Sequence, residues 1–85
     1  MEPEIAFGQV LRELRKGLNL SQETLALESG LERNYISLLE LGRNSASVKT
    51  IFKLTAALGV SVSEFMGRVE NRAKEKRSSR ARSKD

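Results

Sequence analysis

SQETLALESGLERNYISLLE, residues 21–40, decides how this chain folds. Two helix-length segments flank a single glycine, Gly30. Ser21 is a good N-cap, because its hydroxyl oxygen can accept from an orphan amide of the first turn, and Glu23 sets negative charge at the positive end of the helix dipole. Leu25 and Ala26 give this segment one buried stripe. Gly30 stops it, since a left-handed terminal residue costs glycine little. In the next segment Ile36 and Leu39 face inward, with Tyr35 beside them, and Gly42 is placed to close it in the same way. Such a pair of short helices around a tight turn is a helix-turn-helix, and its second member stands out from the domain.

Outward from this stretch the same signals recur. Ile5, Val10, Leu11, Leu14 and Leu18 recur at spacings of three and four, predicting a helix that opens near Pro3 and ends at Gly17. Ser47, then Val48, Ile51, Leu54 and Leu58, closed by Gly59, read as a fourth helix. Ser61 and Glu64 form a capping box before Phe65 and Met66, so a short fifth helix starts there. The expected fold is all-α: five compact helices over residues 3–67. The helix-turn-helix domain is assigned to residues 1–67. Residues 68–85, RVENRAKEKRSSRARSKD, form a basic extension, partly helical or disordered, with Val69 its only sizeable apolar side chain. Glu70 to Arg77 can extend a helix if something holds it, and SSRARSKD is expected to fray.

Composition removes several functions. Eighty-five residues bury one modest core, too small for a deep catalytic cleft. Neither cysteine nor histidine is present, which takes away disulfides, thiolate metal sites, the commonest metal ligand and the commonest general base. No enzyme, metal or cofactor is expected. No apolar run approaches the roughly 20 residues of a membrane span, and MEPEIAFG lacks the basic start and apolar stretch of a signal peptide, so the expected location is cytoplasmic. The net charge of +4 belongs to the end of the chain, where residues 68–85 hold eight Lys/Arg against three acids, or +5, leaving −1 for residues 1–67. Within that acidic part, Arg33, Arg43, Lys49 and Lys53 oppose Glu40 alone, a local +3 that would draw an anion.

The second helix of the pair carries matching chemistry on its outer face. Arg33 suits the paired acceptors of guanine, Asn34 suits adenine, Ser37 is undiscriminating and Leu38 can touch a thymine methyl. Taken alone, an Arg-Asn pair at a helix start is an ordinary solvated surface. Leu38 strengthens the functional reading, because an outward leucine beside the inward Leu39 calls for a partner, although a core role for it stays open.

By these residues the chain resembles the Cro/cI-like, or XRE, helix-turn-helix regulators. LSQETLALESGLERNYISLLELGRN and VKTIFKLTAALGVSVSEFM fit that family's pattern without a gap over about residues 7–67. The resemblance implies a lambda-repressor-like domain in which Gln22 binds a DNA phosphate and braces the recognition helix. It implies that Arg33, Asn34, Ser37 and Leu38 face bases, and that Tyr35, Arg43, Asn44, Ser45 and Lys49 touch the backbone. It also implies a structural ion pair between Arg15 and Glu40. Two positions depart from the pattern. Glu32 stands where a short N-cap is usual, so a long carboxylate must cap or point toward DNA, and Ala46 stands where proline would stiffen the loop.

The function expected from this is a sequence-specific transcriptional regulator, bacterial or phage-type and nucleoid-associated, whose partner is double-stranded DNA. One domain with four readers covers a short half-site, so a homodimer on a pseudo-palindrome follows. Phe52, Val62, Phe65 and Met66 are candidates for the dimer surface, with core packing the alternative for each. LERNYISLLE is similar to the restriction-modification controller subgroup. An antitoxin or adaptor on the same scaffold is the competing reading, in which the outer face of the third helix meets a protein.

Overall fold

The computed structural model describes residues 1–84, with side chains through Glu75. Five helices follow one another: α1 (Pro3–Gly17), α2 (Gln22–Ser29), α3 (Arg33–Glu40), α4 (Val48–Leu58) and α5 (Val62–Lys84). Among the described residues there is no strand. Helix α1 packs on α3 and α5, α2 on α3 and α4, and α4 on α5.

The helix starts follow the serines. Thr24 N donates to Ser21 Oγ at 3.0 Å, Thr50 N to Ser47 Oγ at 3.1 Å and Glu64 N to Ser61 Oγ at 3.0 Å. Each bond satisfies an amide that the helix cannot pair internally. Only half of the expected capping box forms, because the Glu64 carboxylate accepts from Arg68 one turn on rather than turning back. Gly30, Gly42 and Gly59 all take left-handed φ angles between 74° and 75°. After α1 that role falls to Asn19, at φ 59°, while Gly17 is still helical.

The core is built from Ala6, Phe7, Val10 and Leu11 of α1, Leu25 and Ala26 of α2, Ile36 and Leu39 of α3, Leu54 and Leu58 of α4, and Phe65 and Val69 of α5. The Phe7 and Phe65 rings meet edge to face at 5.0 Å between centroids and 61° between planes. Complete burial of a side chain such as Phe65 or Leu54 stabilises by about 1.5–3 kcal/mol.

Several expectations are corrected here. The buried stripe of α1 is rotated toward Ala6 and Phe7, leaving Ile5 at the rim and Leu18 beyond the last helical turn, both exposed. Val48 is exposed because it is the first residue of α4, ahead of the turn that meets α2. Phe65 is fully buried against Phe7, so it cannot be part of a dimer surface. The fifth helix is 23 residues long, not short. Val69 enters the core, and Arg72 reaches α1, donating from Nη1 to Gln9 Oε1 at 2.9 Å and from Nη2 to both Glu13 oxygens at 2.8 and 2.9 Å. That contact supplies what holds the helix past Gly67. SSRARSK, expected to fray, is the last stretch of this helix, and only Asp85 lies outside the described residues.

Candidate nucleic-acid interface

Helix α3 is eight residues long and two-sided. Ile36 and Leu39 are fully buried, which fixes its rotation about its own axis. The opposite side of the first turn then presents Arg33 and Asn34, both exposed, and Ser37 and Leu38 follow half-buried. Leu38 lies outside the set of side chains packed on the core, so the inward alternative for it does not hold. Tyr35 is half-buried against the core, and its hydroxyl points to the Ser45 carbonyl at 3.5 Å, a long contact. Glu32 precedes the helix, exposed and making no cap hydrogen bond, so the first amides of α3 are left without a side-chain acceptor.

The loop after α3 turns back on it through the bond from Arg43 N to Leu38 O at 3.0 Å. Arg43, Asn44 and Ser45 in this loop, and Lys49 in the first turn of α4, are all exposed. Ala46, at the site where proline would be usual, packs half-buried against the core.

Beneath α3 lies a polar network inside an otherwise apolar interior. Arg15 Nε donates to Glu40 Oε2 at 2.6 Å and Nη2 to Oε1 at 3.0 Å, while Nη1 donates to the Leu20 carbonyl at 2.8 Å. Both charged side chains are nearly buried, at 9% and 4% exposure. Gln22 Nε2 donates to Glu40 Oε1 at 3.0 Å, so the residue expected to brace the recognition helix ties the start of α2 to the end of α3. The hydrogen bonds that Arg15 donates to Glu40, opposed by burial and helped by the carboxylate's negative charge, hold the guanidinium proton more tightly than usual. Among the described residues no buried side-chain nitrogen or oxygen lacks a partner, so the network is complete. Three helices thus share one carboxylate.

The four suggested dimer residues separate. Phe52 is 59% exposed, with Val48 one turn before it at 71%. Val62 and Met66 are half-buried, and Phe65 is in the core. Two contacts gave no strong sequence signal: the Arg72 clasp, and the approach of α3 to Gly8, for which a lone glycine inside a helical pattern was the only hint. Among the described residues no group of His, Cys, Asp or Glu could hold a metal ion, and no helix is long and apolar enough to cross a membrane.

The helix-turn-helix family model matches residues 11–65, which spans all of α2, α3 and α4. The chain belongs to this XRE-type helix-turn-helix family. The control protein C.MunI of a Mycoplasma species is 38% identical over 68 residues, covering 79% of this chain and 92% of the relative. The crystal structure of the restriction-modification controller protein C.AhdI from Aeromonas hydrophila superposes with a TM-score of 0.71 at 47% identity, covering 73% of this chain and 94% of that one. The clp gene regulator ClgR of Corynebacterium glutamicum shares the fold over 99% of this chain and 89% of its own, with a TM-score of 0.87 at 24% identity. The family consists of DNA-binding transcriptional regulators rather than enzymes.

Proposed function

We propose that the chain is a sequence-specific transcriptional regulator that lays α3 in the major groove of a pseudo-palindromic operator and acts as a homodimer. The observation that carries this is the two-sidedness of α3: Ile36 and Leu39 fully buried, Arg33 and Asn34 exposed on the opposite side of a helix whose end is tied down through Glu40. In this reading Arg33 pairs with guanine, Asn34 with adenine, and Ser37 and Leu38 read the neighbouring bases. Gln22, Tyr35, Arg43, Asn44, Ser45 and Lys49 take phosphates, which set register and give affinity that falls with salt. Gln22 Nε2 spends one hydrogen on Glu40 and keeps a second for DNA. Residues 1–67 supply all of these contacts, and the basic residues 68–85 stand apart from base reading.

Exposed Phe52 and Val48, with half-buried Val62 and Met66 on the next helix, offer the apolar surface a second copy would cover. Similarity to proteins named as restriction-modification controllers supports a controller role within such a system. The expected setting is the bacterial cytoplasm, on DNA.

Selection of bound fragments from random duplex DNA tests the reading. A palindromic product with half-sites about 34 Å apart is expected. Fragments without a common sequence would sink specificity, and sedimentation showing a monomer both free and on the selected DNA would sink the dimer.

A further inference from the structure

We propose that Gly8, on α1 and away from every suggested DNA contact, is a positioning residue that sets the height and tilt of α3, and so the choice of DNA sequence. The proposal rests on the reading of α3 as the recognition helix. A Cβ at Gly8 would stand 2.3 Å from the Leu39 carbonyl oxygen, 2.7 Å from the Glu40 oxygen and 2.9 Å from the Glu40 carbonyl carbon. All three are backbone atoms at the C-terminal end of α3, so no side chain can swing aside to make room. The same end is tied to α1 twice more. Gly42 sits with its absent Cβ 3.0 Å from Ile5 Cγ1 and 3.1 Å from Ile5 Cα, and Glu40 is held by Arg15. The C-terminal end of helix α3 thus rests on a bare stretch of α1, and its first turn, with Ile36 buried, carries Arg33 and Asn34 outward.

Restoring ordinary contact at 3.4 Å from the present 2.3 Å requires the backbones to part by about 1 Å. A helix of eight residues is about 12 Å long, so a lift at one end translates or tilts the whole element. Paired hydrogen bonds to a base edge tolerate only a few tenths of an ångström, whereas long flexible cations can follow a phosphate. Gly8→Ala should therefore lose sequence choice in particular rather than DNA affinity in general.

The test compares Gly8→Ala with the unaltered chain on a duplex chosen by the unaltered protein from random DNA, and on a random-sequence duplex. Helicity and melting temperature are measured alongside. The expected result is a folded variant with at least a tenfold smaller ratio of selected to random affinity and an unchanged salt slope on random DNA. Val69→Ala, which loosens the core at α5 and leaves Gly8, Gly42 and the Arg15–Glu40 pair in place, should lower the melting temperature and keep the ratio. Gly42→Asn tolerates the left-handed backbone and presses Ile5 by only a few tenths of an ångström, so it provides a milder shift of the same end. It should lose part of the ratio even if Gly8→Ala does not fold. A folded Gly8→Ala with an intact ratio, or an intact ratio in Gly42→Asn when Gly8→Ala is unfolded, overturns the proposal. If the unaltered chain itself does not prefer the selected duplex, the recognition reading fails instead.

Discussion

At the scale of single residues, the physical contrast is between side chains whose worth is realised only on DNA and those that work in the free protein. Arg33 is exposed and its removal should leave folding unchanged. In the operator reading, Arg33→Ala relaxes preference at one base pair by about 1–3 kcal/mol, seen as a flattened row in competition binding with single-base variants. Arg15 is the reverse case. Arg15→Met strands the Glu40 carboxylate in the interior and should cost roughly 3–5 kcal/mol in urea unfolding, while Arg15→Met with Glu40→Leu should recover much of that loss. The folded state raises the guanidinium pKa, so its share of stability is present at every pH below the unfolded arginine value and is lost only above it. The arginine therefore adds no slope to stability from neutral pH into mild alkali. Arg33 and Asn34 could be placed from the sequence because Ile36 and Leu39 fix which side of the helix is in. Phe65 could not, since its partner Phe7 is 58 positions away and nothing local tells a core ring from an interface ring.

At the scale of elements, the serine caps and the glycine turns after α2, α3 and α4 were legible, and the length of α5 was not. Ser21, Ser47 and Ser61 each act within three residues of themselves, so the signal is complete in the local sequence. Ser21→Ala should destabilise by about 0.5–2 kcal/mol. Gly30→Ala meets no neighbour within 4 Å, so its cost should come only from the left-handed backbone at φ 74°, roughly 1–2 kcal/mol in thermal or urea unfolding. A much larger loss would mean that the turn carries more than conformation. Helix α5 outran its expected length for the opposite reason: what holds it past Gly67 is Val69 in the core and Arg72 on Glu13, contacts to residues about sixty positions earlier. The stripe of α1 was begun at Ile5, although Phe7 is the residue three before Val10 and four before Leu11, and it is Phe7 that packs against Phe65.

At the scale of the molecule, these contacts decide how the basic end of the chain must be studied. Ending the chain after Gly67 removes Val69 and the Arg72 clasp with the charges, and should cost at least about 1.5–3 kcal/mol of stability from Val69 alone. Ending it after Glu75 keeps both and should leave the urea midpoint unchanged, so any change in the salt slope of DNA binding is then read on an intact fold. The general architecture followed from serine and glycine punctuation, whereas the seat of α3 did not, because the space at Gly8, where an added Cβ would stand 2.3 Å from the Leu39 carbonyl oxygen, is marked along the chain only by a glycine inside a helical pattern. Tyr35 gives the whole assembly one more property. It is the single tyrosine in a chain without tryptophan, and its ring lies where α3 meets the following loop. Emission excited beyond the absorption of the three phenylalanines therefore originates at one place, beside the suggested phosphate contacts, and a duplex docking there would be reported by an intrinsic fluorophore once the absorbance of the DNA is corrected for.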